Sequence, residues 1–149
     1  MVGIAQSVEH LVVVQGVAGS SPVTHPRSAC TARMHDMDAA AFEVLVVEEL
    51  DALPDDMVDG LENVVFVVED RPEDGSLEVF GIYDGWALTE RDRYGSGELP
   101  DRIIVYREPH LAACDSADEL RAEVHATLVH EIAHFYGIDD ERLHELGWA

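Results

Sequence analysis

The chain has 149 residues, 47% of them hydrophobic, with 31 acidic residues against 9 basic ones and a net charge of −22. That length suits one domain with a single core, and no apolar run approaches the roughly 20 residues of a membrane span. So acidic a surface repels phosphate backbones and anionic lipid, which argues against nucleic acid and membrane as partners. It could favour cationic substrates, although a merely solvated acidic surface is the simpler reading. All nine basic residues are arginine, which fits a GC-rich coding bias better than a mechanism. The two cysteines, Cys30 and Cys114, form no C-x-x-C pair, so no disulfide framework is expected and a reducing cytoplasm is the default location.

Residues 1–35 differ in composition. They hold one acidic residue, Glu9, and two basic ones, Arg27 and Arg33, leaving 30 acidic and 7 basic residues beyond them. The run Leu11-Val12-Val13-Val14 is too short for a secretory signal and lacks a basic segment before it. The stretches Ala5–Leu11 and Gly16–Val23 instead resemble the peptide obtained by translating a transfer-RNA gene, whose T-arm reads Gly-Ser-Ser-Pro in one frame, as Gly19–Pro22 do. The expectation is a non-native or disordered extension over 1–35 with little stable structure, a native start at Met34 or Met37, and one domain over 36–149.

Phe42, Leu45, Val46, Leu50 and Leu53 recur at helical spacing, broken at Glu49, and predict a first helix. Asp36 or Asp38 can cap it, and Pro54 stops it, because the residue before proline avoids helical angles. Asp55–Leu61 reads as a short second helix or turn. Val64–Val68, Leu77–Tyr83 and Arg102–Tyr106 read as strands, rich in β-branched and aromatic residues. Between the second and third lies a loop, Trp86–Pro100, with Arg91, Arg93 and Tyr94 as contact candidates. One helix, three strands and a further helix predict an α+β fold with a small mixed sheet packed on a helical layer. Tyr83 and Tyr106 each allow two readings: a hydroxyl that stabilises an oxyanion beside a metal, or ordinary strand packing, which is commoner.

The last third carries the chemistry. Asp115 or Ser116 can cap a long helix, with Glu119 in its first turn. Leu120, Val124, Leu128, Ile132 and Phe135 form its apolar stripe. His130 and His134, four residues apart, lie on a different stripe, so both rings can reach one metal ion. Neutral imidazole suits zinc. Glu131 sits beside that face, placed to take a proton from a metal-activated water. Gly137 can end the helix in a left-handed turn, which swings the chain back. Asp140 then has the spacing for a third ligand; His144 is the runner-up, since imidazole is the more usual zinc ligand, or it serves as a supporting group. Asp139 reads as a surface or capping residue and His125 as a surface histidine. Leu143, Leu146 and Trp148 are available to close the core. H-E-x-x-H alone arises by chance in roughly one such chain in twenty, whereas adding Gly137 and Asp140 lowers that to roughly one in a few thousand.

His130, Glu131, His134, Gly137 and Asp140 together match H-E-x-x-H-x-x-G-x-x-D, and from this helix to its end the chain resembles the zincin-like metallopeptidases, specifically the small bacterial minimal zincins. Phe42–Pro54, Asn63–Asp70, Phe80–Gly85 and Leu99–Pro109 extend the resemblance over nearly everything after residue 36. It implies a minimal zincin-like fold, a Zn²⁺ cofactor and hydrolysis of a peptide bond by water. Larger metzincins have histidine where Asp140 stands and a methionine turn beyond it, and this chain has neither. The expected function is a zinc metallopeptidase with a peptide or protein substrate, with His130, His134 and Asp140 on the metal and Glu131 as general base. The alternatives are a metal-dependent hydrolase acting on RNA and a non-catalytic zinc-binding module. The charge opposes the first. The intact Glu131 and a three-ligand set oppose the second, since structural zinc sites are usually closed by four protein ligands.

Overall fold

The computed structural model describes residues 36–90 and 99–147, and the backbone of Val13–Gln15. Met34, Arg91, Arg93, Tyr94, Cys30 and Trp148 lie outside the described residues, as does the remainder of 1–35.

The architecture is α+β, with helices packed on a small mixed sheet. Helix α1 spans Ala39–Asp51, capped by Asp38, whose carboxylate accepts the Ala41 N–H at 2.8 Å. Its apolar positions Phe42, Leu45, Val46 and Leu50 are all buried, and Leu53 is buried just beyond its end. A single turn, α2 (Asp55–Val58), follows Pro54. Strand β2 (Val64–Glu69) buries alternate residues, as a half-covered strand should. Strand β4 (Asp101–Tyr106) is central and buries Ile103 to Tyr106 without a break, the pattern of a strand covered on both faces. It runs parallel to β2 and antiparallel to β3 (Gly81–Asp84), which forms one edge of the sheet. The chain then continues through α3 (Arg107–Ala113), the long α4 (Ala117–Phe135) and the short α5 (Asp140–Glu145). Helix α1 packs on α4 and β2, and α4 packs over β3 and β4, so the core lies between these helices and the sheet.

Four expectations need correction. The backbone of Val13–Gln15 forms a strand, β1, parallel to β2 with Val13 opposite Phe66, although little structure was expected there. Without it β2 would present an unpaired edge, and β1–α1–β2 makes the helical crossover that parallel strands require. Strand β3 begins at Gly81, not Leu77, because its partner runs out: Tyr106 donates to the Phe80 carbonyl at 2.9 Å, and beyond it the chain coils into α3. Helix α3 itself was not foreseen, since Pro109 argues against helix. That proline falls in the first turn, where an absent N–H loses no intrahelical bond. Leu146 is 49% exposed, and Leu143 alone of the expected pair enters the core.

His110, on α3, is fully buried between Phe42 and Phe80, whose rings lie 5.6 and 5.1 Å from it. Its Nδ1–H donates to the Tyr106 carbonyl at 2.6 Å, and Nε2 accepts from the Thr127 hydroxyl at 3.0 Å, so both nitrogens are satisfied in the neutral ring. Burial holds its pKa down to about 4, against the opposing pull of the Tyr106 carbonyl. Above the unfolded value of about 6.5 both states are neutral and this ring adds no pH dependence. As pH falls from about 6.5 to 4 only the unfolded chain takes the proton, so stability falls, by about 3 kcal/mol in all. Urea denaturation across that window is expected to show the loss, and the His110 ring resonances are expected not to titrate between pH 7 and 5.

Candidate metal centre

Helix α4 is set locally before it is set by packing. The Ser116 hydroxyl accepts the Glu119 N–H at 3.2 Å, and the Glu119 carboxylate reaches back to the Asp115 N–H at 2.9 Å. Asp118 and Glu119 place negative charge at the N-terminal end of the helix dipole. Leu120, Val124, Leu128, Ile132 and Phe135 are all buried, which fixes the rotation of the helix. The neighbouring stripe then carries His130 and His134, whose rings stand edge-on, 4.7 Å apart.

The helix ends in a paired turn. Gly137 takes φ +84°, its N–H bonds the His134 carbonyl at 3.0 Å, and the Ile138 N–H bonds the Ala133 carbonyl at 3.0 Å. This is the left-handed C-cap that the glycine suggested. It returns the chain so that the Ile138 carbonyl accepts from His134 Nδ1 at 2.8 Å. Asp139 caps α5 by accepting the Arg142 N–H at 2.9 Å, which leaves Asp140 as the first helical residue. One carboxylate oxygen of Asp140 lies 3.1 Å from His130 Nε2 and 3.1 Å from His134 Nε2. The donor atoms of His130, His134 and Asp140 lie within 4.8 Å of one another. His144 is exposed on α5 and is not in this group.

The family model of zincin-like metallopeptidases matches residues 61–148, more than half of the chain. The chain belongs to the zincin-like metallopeptidases. Among curated proteins, none matches it.

The donor chemistry of this zincin-like metallopeptidase fits a zinc ion. With the His134 Nδ1 proton committed to the Ile138 carbonyl, Nε2 presents a lone pair toward the Asp140 carboxylate, and two acceptors face each other with no donor between them. That arrangement wants a cation or a proton. Tetrahedral zinc with bonds of about 2.0–2.1 Å sets its ligand atoms about 3.3 Å apart, close to the spacing seen here. The Ile138 carbonyl also orients the ring, as partners of metal-binding histidines commonly do.

Glu131 is only 7% exposed. Burial pushes its carboxyl above the ordinary range; His134, His130 and the backbone N–H of Tyr83, which bonds the carboxylate, pull it partly back, and Asp140 adds to the rise. Glu131 and His130 line an open groove of about 380 Å³, walled by residues 78–81 ahead of and into β3 and by Glu123, Ala126 and Thr127 of α4. The two tyrosines considered from sequence do not join this group. The Tyr83 hydroxyl donates to Asp101 at 2.8 Å, and Tyr106 is buried among the charges of Glu69, Glu73, Asp74 and Arg102. His125 pairs with Glu49 at 3.3 Å on the seam between α4 and α1. Sequence reasoning missed Gly81 and Thr127, which pack against Glu131. A glycine inside a strand pattern was the available signal for a close approach.

Zinc measured by mass spectrometry on the purified protein is expected near one per chain. Asp140→Ala is expected to weaken zinc binding by at least about tenfold, the loss typical even of supporting groups, while His144→Ala leaves it unchanged. Gly137→Ala is expected to destabilise the fold by about 1–3 kcal/mol in urea denaturation, since a side chain resists positive φ and its Cβ would lie 2.6 Å from the Thr89 hydroxyl.

Proposed function

We propose that this zincin-like protein is a zinc-dependent metallopeptidase that hydrolyses peptide bonds, with His130, His134 and Asp140 holding the metal and Glu131 acting as general base. One observation carries the reading: a buried carboxylate, fixed by a backbone amide, stands beside a triad made only of acceptor atoms. Zinc bound there polarises the scissile carbonyl and makes water a better nucleophile near neutral pH. Glu131 takes the proton from the attacking water and returns it to the leaving amine. Its raised pKa suits both halves of that transfer, because a base titrating closer to neutrality is also a competent acid. The groove runs beside the edge strand β3, where free backbone groups suit an extended polypeptide.

The net charge of −22 supports a peptide or protein substrate over nucleic acid or anionic lipid. Among the described residues, no helix is long and apolar enough to cross a membrane, and Cys114 is a free, buried thiol, which suits a reducing cytoplasm.

Glu131→Gln keeps the size and a hydrogen-bond acceptor but removes the base. It is expected to retain zinc and to lose about 100-fold or more in the hydrolysis of labelled casein or a mixed peptide library. Turnover preserved in that variant would rule out Glu131 as the base.

A further inference from the structure

Gly81 opens the edge strand at the point where β3 lies across α4. A Cβ built there would meet the Thr127 Cγ2 methyl at 2.7 Å, the Glu131 Cγ at 3.1 Å and the Ile104 carbonyl oxygen at 3.1 Å. The strand can therefore approach this turn of α4 only because residue 81 has no side chain. Two residues on, the Tyr83 backbone N–H bonds the Glu131 carboxylate. The register explains why that amide is free to do so. Tyr106 N–H bonds the Phe80 carbonyl, and Gly81 faces Val105, Ile82 faces Ile104 and Tyr83 faces Ile103. Antiparallel pairs alternate, so the backbone groups of Phe80 and Ile82 turn toward β4 while those of Gly81 and Tyr83 turn outward. The outward Tyr83 N–H would meet only solvent or a ligand had α4 not delivered a carboxylate to it.

We propose that Gly81 is a positioning residue for Glu131: its missing side chain sets the distance between β3 and α4 at which the Tyr83 amide holds the Glu131 carboxylate beside the histidine pair. Thr127 sets the same gap from the other side. Its hydroxyl is tied to His110, so its methyl is held toward Gly81 and cannot turn away without breaking that bond. Adding one methyl at residue 81 therefore moves the strand, and the strand carries the amide. A shift of this kind at a reacting group lowers the rate through geometry and leaves ground-state substrate binding largely intact.

The test needs no substrate in its first arm, so it stands apart from the peptidase reading on which the second arm rests. Amide hydrogen exchange followed by NMR is expected to show Tyr83 slowed at least about tenfold relative to Gly81, its neighbour on the same outward edge. That protection is expected to vanish in Glu131→Ala and in Gly81→Ala, with Ile82 protected throughout as the internal control. Thr127→Ser removes the obstructing methyl and keeps the hydroxyl for His110, so the double variant Gly81→Ala, Thr127→Ser is expected to regain most of the protection. In the second arm, with labelled casein, Gly81→Ala is expected to lose about 100-fold in kcat with KM within about threefold and zinc content unchanged, and the double variant to recover most of the loss. Tyr83 protection that survives both Glu131→Ala and Gly81→Ala would overturn the proposal. So would a double variant no better than Gly81→Ala in both arms.

Discussion

Helix α4 carries two stripes with opposite demands, and the fold depends on satisfying the apolar one. Leu120, Val124, Leu128, Ile132 and Phe135 are at most 1% exposed, closed over by α1 and the sheet. Burying each such side chain contributes about 1.5–3 kcal/mol, whereas local helix propensities differ by less than about 1 kcal/mol per residue. Packing therefore decides how the helix is rotated. With that rotation fixed, His130 and His134 have one place to point, and a polar pair that would gain little by itself is presented at the edge of the core.

The polar groups beneath and beside the site follow from the same packing. Thr127 and Glu131 are one turn apart on α4, and both are buried where α4 meets β3. Each has a partner supplied by a different element: His110 of α3 for Thr127, and the Tyr83 amide of β3 for Glu131. A buried polar group without a partner costs about 1–3 kcal/mol, so these partnerships tie α3 and β3 to one turn of one helix. The surface ion pairs of Arg121 with Glu48 and Glu49, which also join α4 to α1, are exposed and contribute less.

Charge and site stand in a plain relation. A chain of net charge −22 gathers two imidazoles and a carboxylate around a position where every facing atom is an acceptor. A cation at that position removes the repulsion that the fold has built there. The affinity of such a site for metal thus draws on folding free energy, and the return turn at Gly137 is where that energy is applied.

Much of this was legible from residues in order. The 3.6-residue rhythm of Phe42 to Leu53 and of Leu120 to Phe135 marks two buried helices, because burial along a helix repeats with its turn. His130, Glu131, His134 and Gly137 are close in sequence, so local geometry alone determines their relation. What lay beyond local geometry was decided by tertiary structure. Asp140 and His144 were both credible partners for the histidines, and the choice between them in space came from Asp139 capping α5, which sets Asp140 against both rings. Strand pairing shortened β3 and drew Val13–Gln15 into the sheet, since a strand's extent depends on a partner remote in sequence. His110, Thr127, Gly81 and Glu131 come from three separate elements and meet only when β3 and α3 close on α4; no spacing along the chain encodes that meeting, because its distances are set by packing between elements.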